Sequence, residues 1–209
     1  MKKTFTEKQL HILTVAEELI AKKGFEGTSV RDISSKAKVN VAMISYYFGS
    51  KEKMMASLYH YRVQKTREHF AEFAETIKEG KPEMQLREII KYLTTQLFKY
   101  NYFHGFVTQE LRHTEHLKQD LLDFYKLCVE KIDEIIKKGV VMGTFTFAPK
   151  PEDILVNILG STLFTIRNKN FIELSVPFKN EEQYMKEAEK KLRNSLTFTT
   201  FAILGFVID

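Results

Sequence analysis

Apolar residues recur at three- and four-residue steps along almost the whole chain, and little interrupts them. Leu10, Leu13, Ala16, Leu19 and Ile20 set the pattern near the start. That spacing puts them on one face of an α-helix. The chain has only four prolines and nine glycines in 209 residues, too few to punctuate collagen, a propeller or a loop-rich β fold. Only the short run Thr144-Phe145-Thr146-Phe147 alternates as a strand would. The expected fold class is all-α. With 44% hydrophobic and 28% charged residues, the chain can pack a core, and a wholly disordered polypeptide is excluded.

Capping signals divide this pattern into elements. Thr6-x-x-Gln9 is a capping box, in which the Thr hydroxyl accepts from a free N–H of the first turn and Gln9 reaches back. Gly24 suits a helix stop. Thr28 or Ser29 can cap a short helix burying Val30, Ile33 and Ala37. A break follows near Lys38-Val39, and Asn40 can cap another short helix through Ile44 and Tyr47. Ser50 can start a long helix from Lys51 to about Lys78, ended by Gly80 and Pro82. Beyond it, helices are expected at about 83–103, 105–114, 116–141, 151–173 and 181–207. Asn180-x-x-Gln183 forms a second capping box, and Gly143 to Pro151 form a loop.

Several classes drop out. One cysteine, Cys128, allows neither an internal disulfide nor a four-cysteine zinc site. A buried, small apolar role is expected for it. The polar start Met1-Lys2-Lys3-Thr4 has no apolar core of a signal peptide. The longest greasy stretch, Leu196 to Ile208, is too short to span a bilayer. The expectation is a cytoplasmic chain with no membrane partner. Glu110, His113 and His116 step by three, but three ligands beside a helix break make a weak zinc signal. No phosphate loop, nucleophile elbow or catalytic carboxylate pair is found. No enzyme activity, metal or cofactor is expected.

Charge is uneven. Residues 1–60 hold ten Lys/Arg against six Asp/Glu, while the other 149 hold 22 against 21. A basic N-terminal module on a near-neutral body points to a polyanion as the module's partner.

Residues 28–48, TSVRDISSKAKVNVAMISYYF, read as two short helices around a tight turn, a helix-turn-helix. The second is short enough to lie in a major groove. The wider run AEELIAKKGFEGTSVRDISSKAKVNVAMISYYFGSKEKMM, Ala16 to Met55, resembles the DNA-binding domain of the TetR family of bacterial transcriptional regulators. The features that match are a helix ending in KKGFEGTSV, then VRDIS, then VNVAMISYYF-x-SKE. Lys38 stands where glycine is usual, and Asn40 where serine is usual. The resemblance implies an N-terminal three-helix DNA-binding domain over 1–50, sharing the helix that starts near 51. A helical effector-binding and dimerisation domain would cover 51–209.

Phosphates are held by helix N-termini, hydroxyls and lysines. Thr28 and Ser29 sit at one such terminus and Lys51 at another. The resemblance places Tyr46 and Tyr47 against the sugar-phosphate backbone and lets Arg31 reach a base, where arginine can donate twice to guanine. Val41, Ala42, Met43 and Ser45 would face the groove. That surface is small and mostly apolar, so it reads thymine methyls and DNA shape more than hydrogen bonds. Val39, Ile44 and Phe48 are assigned to the core.

In the body, aromatics at helical spacing suggest either plain core or a cavity between helices. The expected liners are Tyr92, Phe98, Phe103, Phe106, Leu111, Phe124, Cys128 and Phe164. Their apolar character hints at a hydrophobic effector, and the resemblance implies that an effector binds here. The helix around Ile154 to Ile166 and the final LTFTTFAILGFVID are apolar on most faces. A helix of that kind must be buried on all sides. The resemblance implies a homodimer through the last two long helices, which suits a palindromic operator. The expected function is a ligand-responsive regulator of double-stranded DNA, a repressor released by its effector. The alternative is a helical module for a small molecule or protein, with weak, non-regulatory DNA binding.

Overall fold

Hydrogen-bonding side chains start most of the helices seen in the structure, a computed structural model that describes residues 4–102, 115–174 and 178–207. The elements are α1 (Glu7–Lys23), α2 (Val30–Ala37), α3 (Val41–Phe48), α4 (Lys51–Thr76), α5 (Pro82–Lys99), α6 (Glu115–Val141), α7 (Pro151–Arg167), α8 (Lys169–Glu173) and α9 (Glu181–Leu204). The described residues contain no strand. Thr6 and Gln9 close the first capping box in both directions. α5 and α7 instead begin on Pro82 and Pro151, whose missing N–H costs nothing in a first turn.

The structure revises several boundaries. Ser29, not Thr28, caps α2, and it forms a full box with Asp32. The expected 151–173 helix is two, α7 and α8, with a break at Asn168. The box at Asn180 is half made. Gln183 N–H donates to Asn180 Oδ1 at 2.9 Å, but Gln183 Oε1 accepts from Lys179 N–H instead of Asn180 N–H. Thr144 to Phe147 form no strand. The N–H groups of Thr146 and Phe147 donate to Leu204 O at 2.9 and 3.1 Å, so this loop satisfies the end of α9. Phe145 lies against Gly139, where any Cβ would collide with its ring. The expected 105–114 helix falls outside the described residues.

The Ser29–Asp32 box carries a pH signature. Hydrogen bonds from the Ser29 hydroxyl and N–H hold the Asp32 carboxyl below its ordinary value of 3.8. A depressed folded value means the box supports α2 fully above that ordinary value. The support disappears as pH falls through the lower folded one. Comparing acid unfolding of the parent with Asp32→Asn should show the parent's advantage at neutral pH shrinking below about pH 4. An advantage that persists unchanged into stronger acid would rule this out.

The chain divides into two units, Met1–Glu68 with Tyr102–Phe124, and His69–Asn101 with Tyr125–Asp209. α4 contributes to both. In the first unit, α1, α2 and α3 bury Ile12, Leu13, Ala16, Ile33, Ala37 and Ile44. Buried among apolar neighbours on α1 is a carboxylate, Glu17, which accepts from the Arg62 guanidinium through both oxygens and from the Tyr102 hydroxyl at 2.7 Å. In the second unit, α5, α7 and α9 pack on one another. Phe98, Tyr184 and Ala188 form a core cluster, with Phe178 and Leu192 packed against it.

Between α2 and α3 the chain turns at Lys38, which sits in the left-handed region at φ 55°, ψ 42°. Among the described residues it is the one non-glycine with positive φ. For a residue with a Cβ this conformation costs roughly 1–2 kcal/mol. The turn is closed by Lys38 N–H to Ser35 O and Val39 N–H to Ser34 O.

Candidate nucleic-acid interface

The second helix of the helix-turn-helix is built to be half core and half surface. α3 starts on Asn40, whose Oδ1 accepts from Ala42 N–H at 2.9 Å. Ile44 and Phe48, four apart, are buried, which anchors one face. The opposite face leaves Val41, Ala42, Ser45 and Tyr46 exposed and Met43 and Tyr47 half-buried. Tyr46 is 83% exposed, an unusual position for a tyrosine in a helical head. Its ring meets Tyr47 edge-on at 5.3 Å. A short helix with a small, smooth outer face and a terminal pair of phenols has the shape and chemistry for a major groove flanked by phosphates. Val39, expected in the core, is only half-buried.

The flanking residues differ in availability. Thr28 requires correction: it is fully buried, and its hydroxyl donates to Gly24 O at 2.9 Å, so its side chain is closed to DNA. Ser29 is exposed, but its hydroxyl is engaged with Asp32. What this terminus leaves free for an anion is the N–H groups of Val30 and Arg31, which have no intrahelical acceptor, and the exposed Arg31 side chain. Lys51 is a strut. Its ammonium donates to Phe25 O at 2.6 Å and lies 3.9 Å from the centre of the Phe25 ring. It braces the start of α4 against the chain that follows α1.

One basic feature of this head has no signal in the helix-turn-helix string. A groove of about 490 Å³ runs between the start of α1 and the α2–α3 turn, lined by Glu7, Lys8, His11, Lys38, Asn40 and Met43 with Val39. The linear pattern separates Lys8 from Lys38 by thirty residues. Only the packing of α1 on α2 brings them to one groove.

The expected effector liners are dispersed. Tyr92 stacks on Phe73 at 4.4 Å and is half-buried. Burial and the neighbouring Cys128 thiol raise its hydroxyl to about 12. Cys128 itself is fully buried, and burial pushes its thiol well up. These residues do share one apolar region of the second unit, but Phe98 belongs to the core cluster with Tyr184. Phe124 falls in the first unit. Phe164 is a correction: it is 51% exposed on the outside of α7, against Phe171. Phe103, Phe106 and Leu111, like Glu110 and His113, lie outside the described residues. The second unit holds a cavity of about 300 Å³, but charged groups such as Lys78, Glu79, Lys131 and Glu134 line it, with none of the expected aromatics.

Within the single chain, α7 and α9 each leave one side exposed. Val156, Gly160 and Phe164, at four-residue steps along α7, are exposed, as are Phe198, Ala202 and Ile203 on α9. No described helix is long and apolar enough to cross a membrane.

Comparison with known proteins matches the description "Bacterial regulatory proteins, tetR family" to residues 12–61, and "Tetracyclin repressor-like, C-terminal domain" to residues 82–195. The probable HTH-type transcriptional regulator YttP of Bacillus subtilis (strain 168) is 31% identical over 149 residues, 69% of this chain and 70% of that protein. The HTH-type transcriptional repressor NicS of Pseudomonas putida is 30% identical over 138 residues, 65% of this chain and 64% of that protein. Among solved structures, the transcriptional regulator FadR of Bacillus subtilis in complex with stearoyl-CoA has a TM-score of 0.61. It is 21% identical, and the match covers 93% of this chain and 98% of that one.

Proposed function

The chain belongs to the TetR family of bacterial regulatory proteins, and from that premise we propose that it is a ligand-responsive repressor. A homodimer holds a palindromic operator, and a small, largely apolar effector releases it. The observation that carries this reading is the outer face of α3, with Tyr46 83% exposed beside Val41, Ala42 and Ser45. Such a face has no use inside the isolated molecule. The exposed apolar residues of α7 and α9 supply a surface for a second copy, and a two-fold dimer presents two α3 helices to two half-sites.

The proposed DNA contacts are Tyr46 and Tyr47 on phosphates, Arg31 at a base edge, and Val41, Ala42, Met43 and Ser45 in the groove. Ser29 helps through its helix terminus, and Lys51 braces α4 there. Effector release follows from linkage: a ligand that binds the non-operator arrangement better lowers operator affinity by the same factor. A hydrophobic ligand would open a space among the apolar side chains around Tyr92 and Cys128, apart from the cavity lined by charged groups. The stearoyl-CoA bound by the Bacillus subtilis FadR makes acyl-CoA thioesters the first class to titrate.

The test is binding of the purified protein to labelled DNA, selected by it from a random-sequence library, against unrelated competitor at several salt concentrations. Tight binding to one palindromic duplex that survives competitor supports the regulator. Weak, sequence-blind binding erased by modest salt rejects it. On that duplex, Tyr46→Ala should keep the fold and lose roughly tenfold in affinity per head, about 1.4 kcal/mol, and so roughly a hundredfold per dimer. Unchanged affinity in a folded variant removes Tyr46 from the interface.

A further inference from the structure

Lys38 holds a backbone conformation that glycine adopts freely and lysine does not. An observed strain of this kind is grounds for seeking a use of the side chain. The side chain of Lys38 borders the groove shared with Lys8, His11, Asn40 and Met43. Lys8 and Lys38 are both exposed, and neither makes an ion pair among the described residues. His11 Nε2–H donates to Ala37 O at 3.0 Å, one residue before Lys38. That bond ties the α2–α3 turn to α1, the helix that carries Lys8. Met43, which also lines this groove, belongs to the proposed DNA-facing surface of α3, so the site is continuous with it.

We propose that Lys8 and Lys38 form a cradle for a DNA backbone phosphate at the α1 side of the helix-turn-helix, with His11 as the residue that positions the turn. The ligand is a phosphodiester just outside the base pairs that α3 reads. The Glu7 carboxylate on the same groove repels an anion, so two ammonium groups rather than one are needed to hold it. Contacts of this type fix register without reading sequence. The cradle rests on the DNA-binding reading above, and the two fail differently.

The test uses the full chain, Lys38→Gly, Lys8→Gln and the double variant, on the selected duplex and on an unrelated one. Lys38→Gly relieves the left-handed strain, so its Tm should rise by a few degrees. Operator affinity should nevertheless fall. The slope of log affinity against log salt should become shallower by about 0.9 for each phosphate that the variant no longer neutralises, on both duplexes. A fourfold change in salt would then alter the parent-to-variant ratio by roughly threefold for each such phosphate. A more stable protein that binds DNA less tightly is not the outcome of a purely structural turn. If every variant keeps the parental slope while Tyr46→Ala loses affinity, the cradle is overturned and the regulator reading stands. If the parent itself shows no preference between the duplexes and Tyr46→Ala equals it, the regulator reading falls. The cradle still stands if the lysine variants flatten the slope, and falls if they do not.

Discussion

Replacing Arg62 with alanine is expected to destabilise the protein by about 3 kcal/mol, and at most about 5 kcal/mol. Glu17 sits on the inner face of α1 with its side chain 8% exposed, and Arg62 reaches it from α4 with both carboxylate oxygens engaged. Removing the guanidinium strands a buried charge that folding has already desolvated. The lower end is favoured because Arg62 is 26% exposed and the Tyr102 hydroxyl still donates to Glu17. Tyr102→Phe alone should cost about 1.5 kcal/mol, the lower end for a hydrogen bond to a charged acceptor. The decisive comparison is the pair Glu17→Leu with Arg62→Met. Replacing both charges by apolar groups should recover most of the loss, since a buried pair contributes little net stability over a packed apolar one. Urea unfolding of the single and double variants measures this. A loss below about 1 kcal/mol for Arg62→Ala would show that water reaches Glu17 and that the pair behaves as a surface ion pair.

A second large effect is expected at Phe198. This residue is 65% exposed on α9, where Ile203 is 46% exposed, and Val156 on α7 is 67% exposed. Asn157 Nδ2–H donates to Thr199 Oγ1 at 3.4 Å, which ties the two helices side by side and makes their outer surfaces one face. In the proposed dimer that face meets its own copy, so each substitution enters the interface twice. Phe198→Glu would place two unpaired carboxylates in a desolvated apolar contact. The dimer dissociation constant should rise by at least roughly a thousandfold, about 4 kcal/mol. Because the side chain is exposed in the single chain, folding stability should change by no more than about 0.5 kcal/mol. Sedimentation should show a folded monomer with operator affinity abolished. A variant that still sediments as a dimer would place the subunit contact on another surface.

Local chemistry and tertiary packing wrote different parts of this protein. The helical class, the starts of α1, α3 and α4, and the helix-turn-helix register were legible in the chain. A capping side chain and a three- to four-residue apolar repeat act within one or two turns, so neighbours in sequence suffice. The same locality explains why Ile44 and Phe48 could be assigned to the core, whereas the outward position of Tyr46 was implied by the family resemblance. Three things needed the fold. Thr28 and Ser29 both qualify as caps by residue type; only Ser29 has an acidic residue three positions on, Asp32, and the fold turns Thr28 inward onto Gly24 O. The groove of Lys8 and Lys38 and the Glu17–Arg62–Tyr102 network join residues distant in sequence, which no periodicity reports. Finally, an aromatic at helical spacing looks the same whether it faces core, cavity or solvent. Phe98, Tyr92 and Phe164 share that spacing, yet one is core, one is half-buried and one is exposed. Which face of a helix meets a neighbour is set by the other helices, and that information lies in the assembled chain alone.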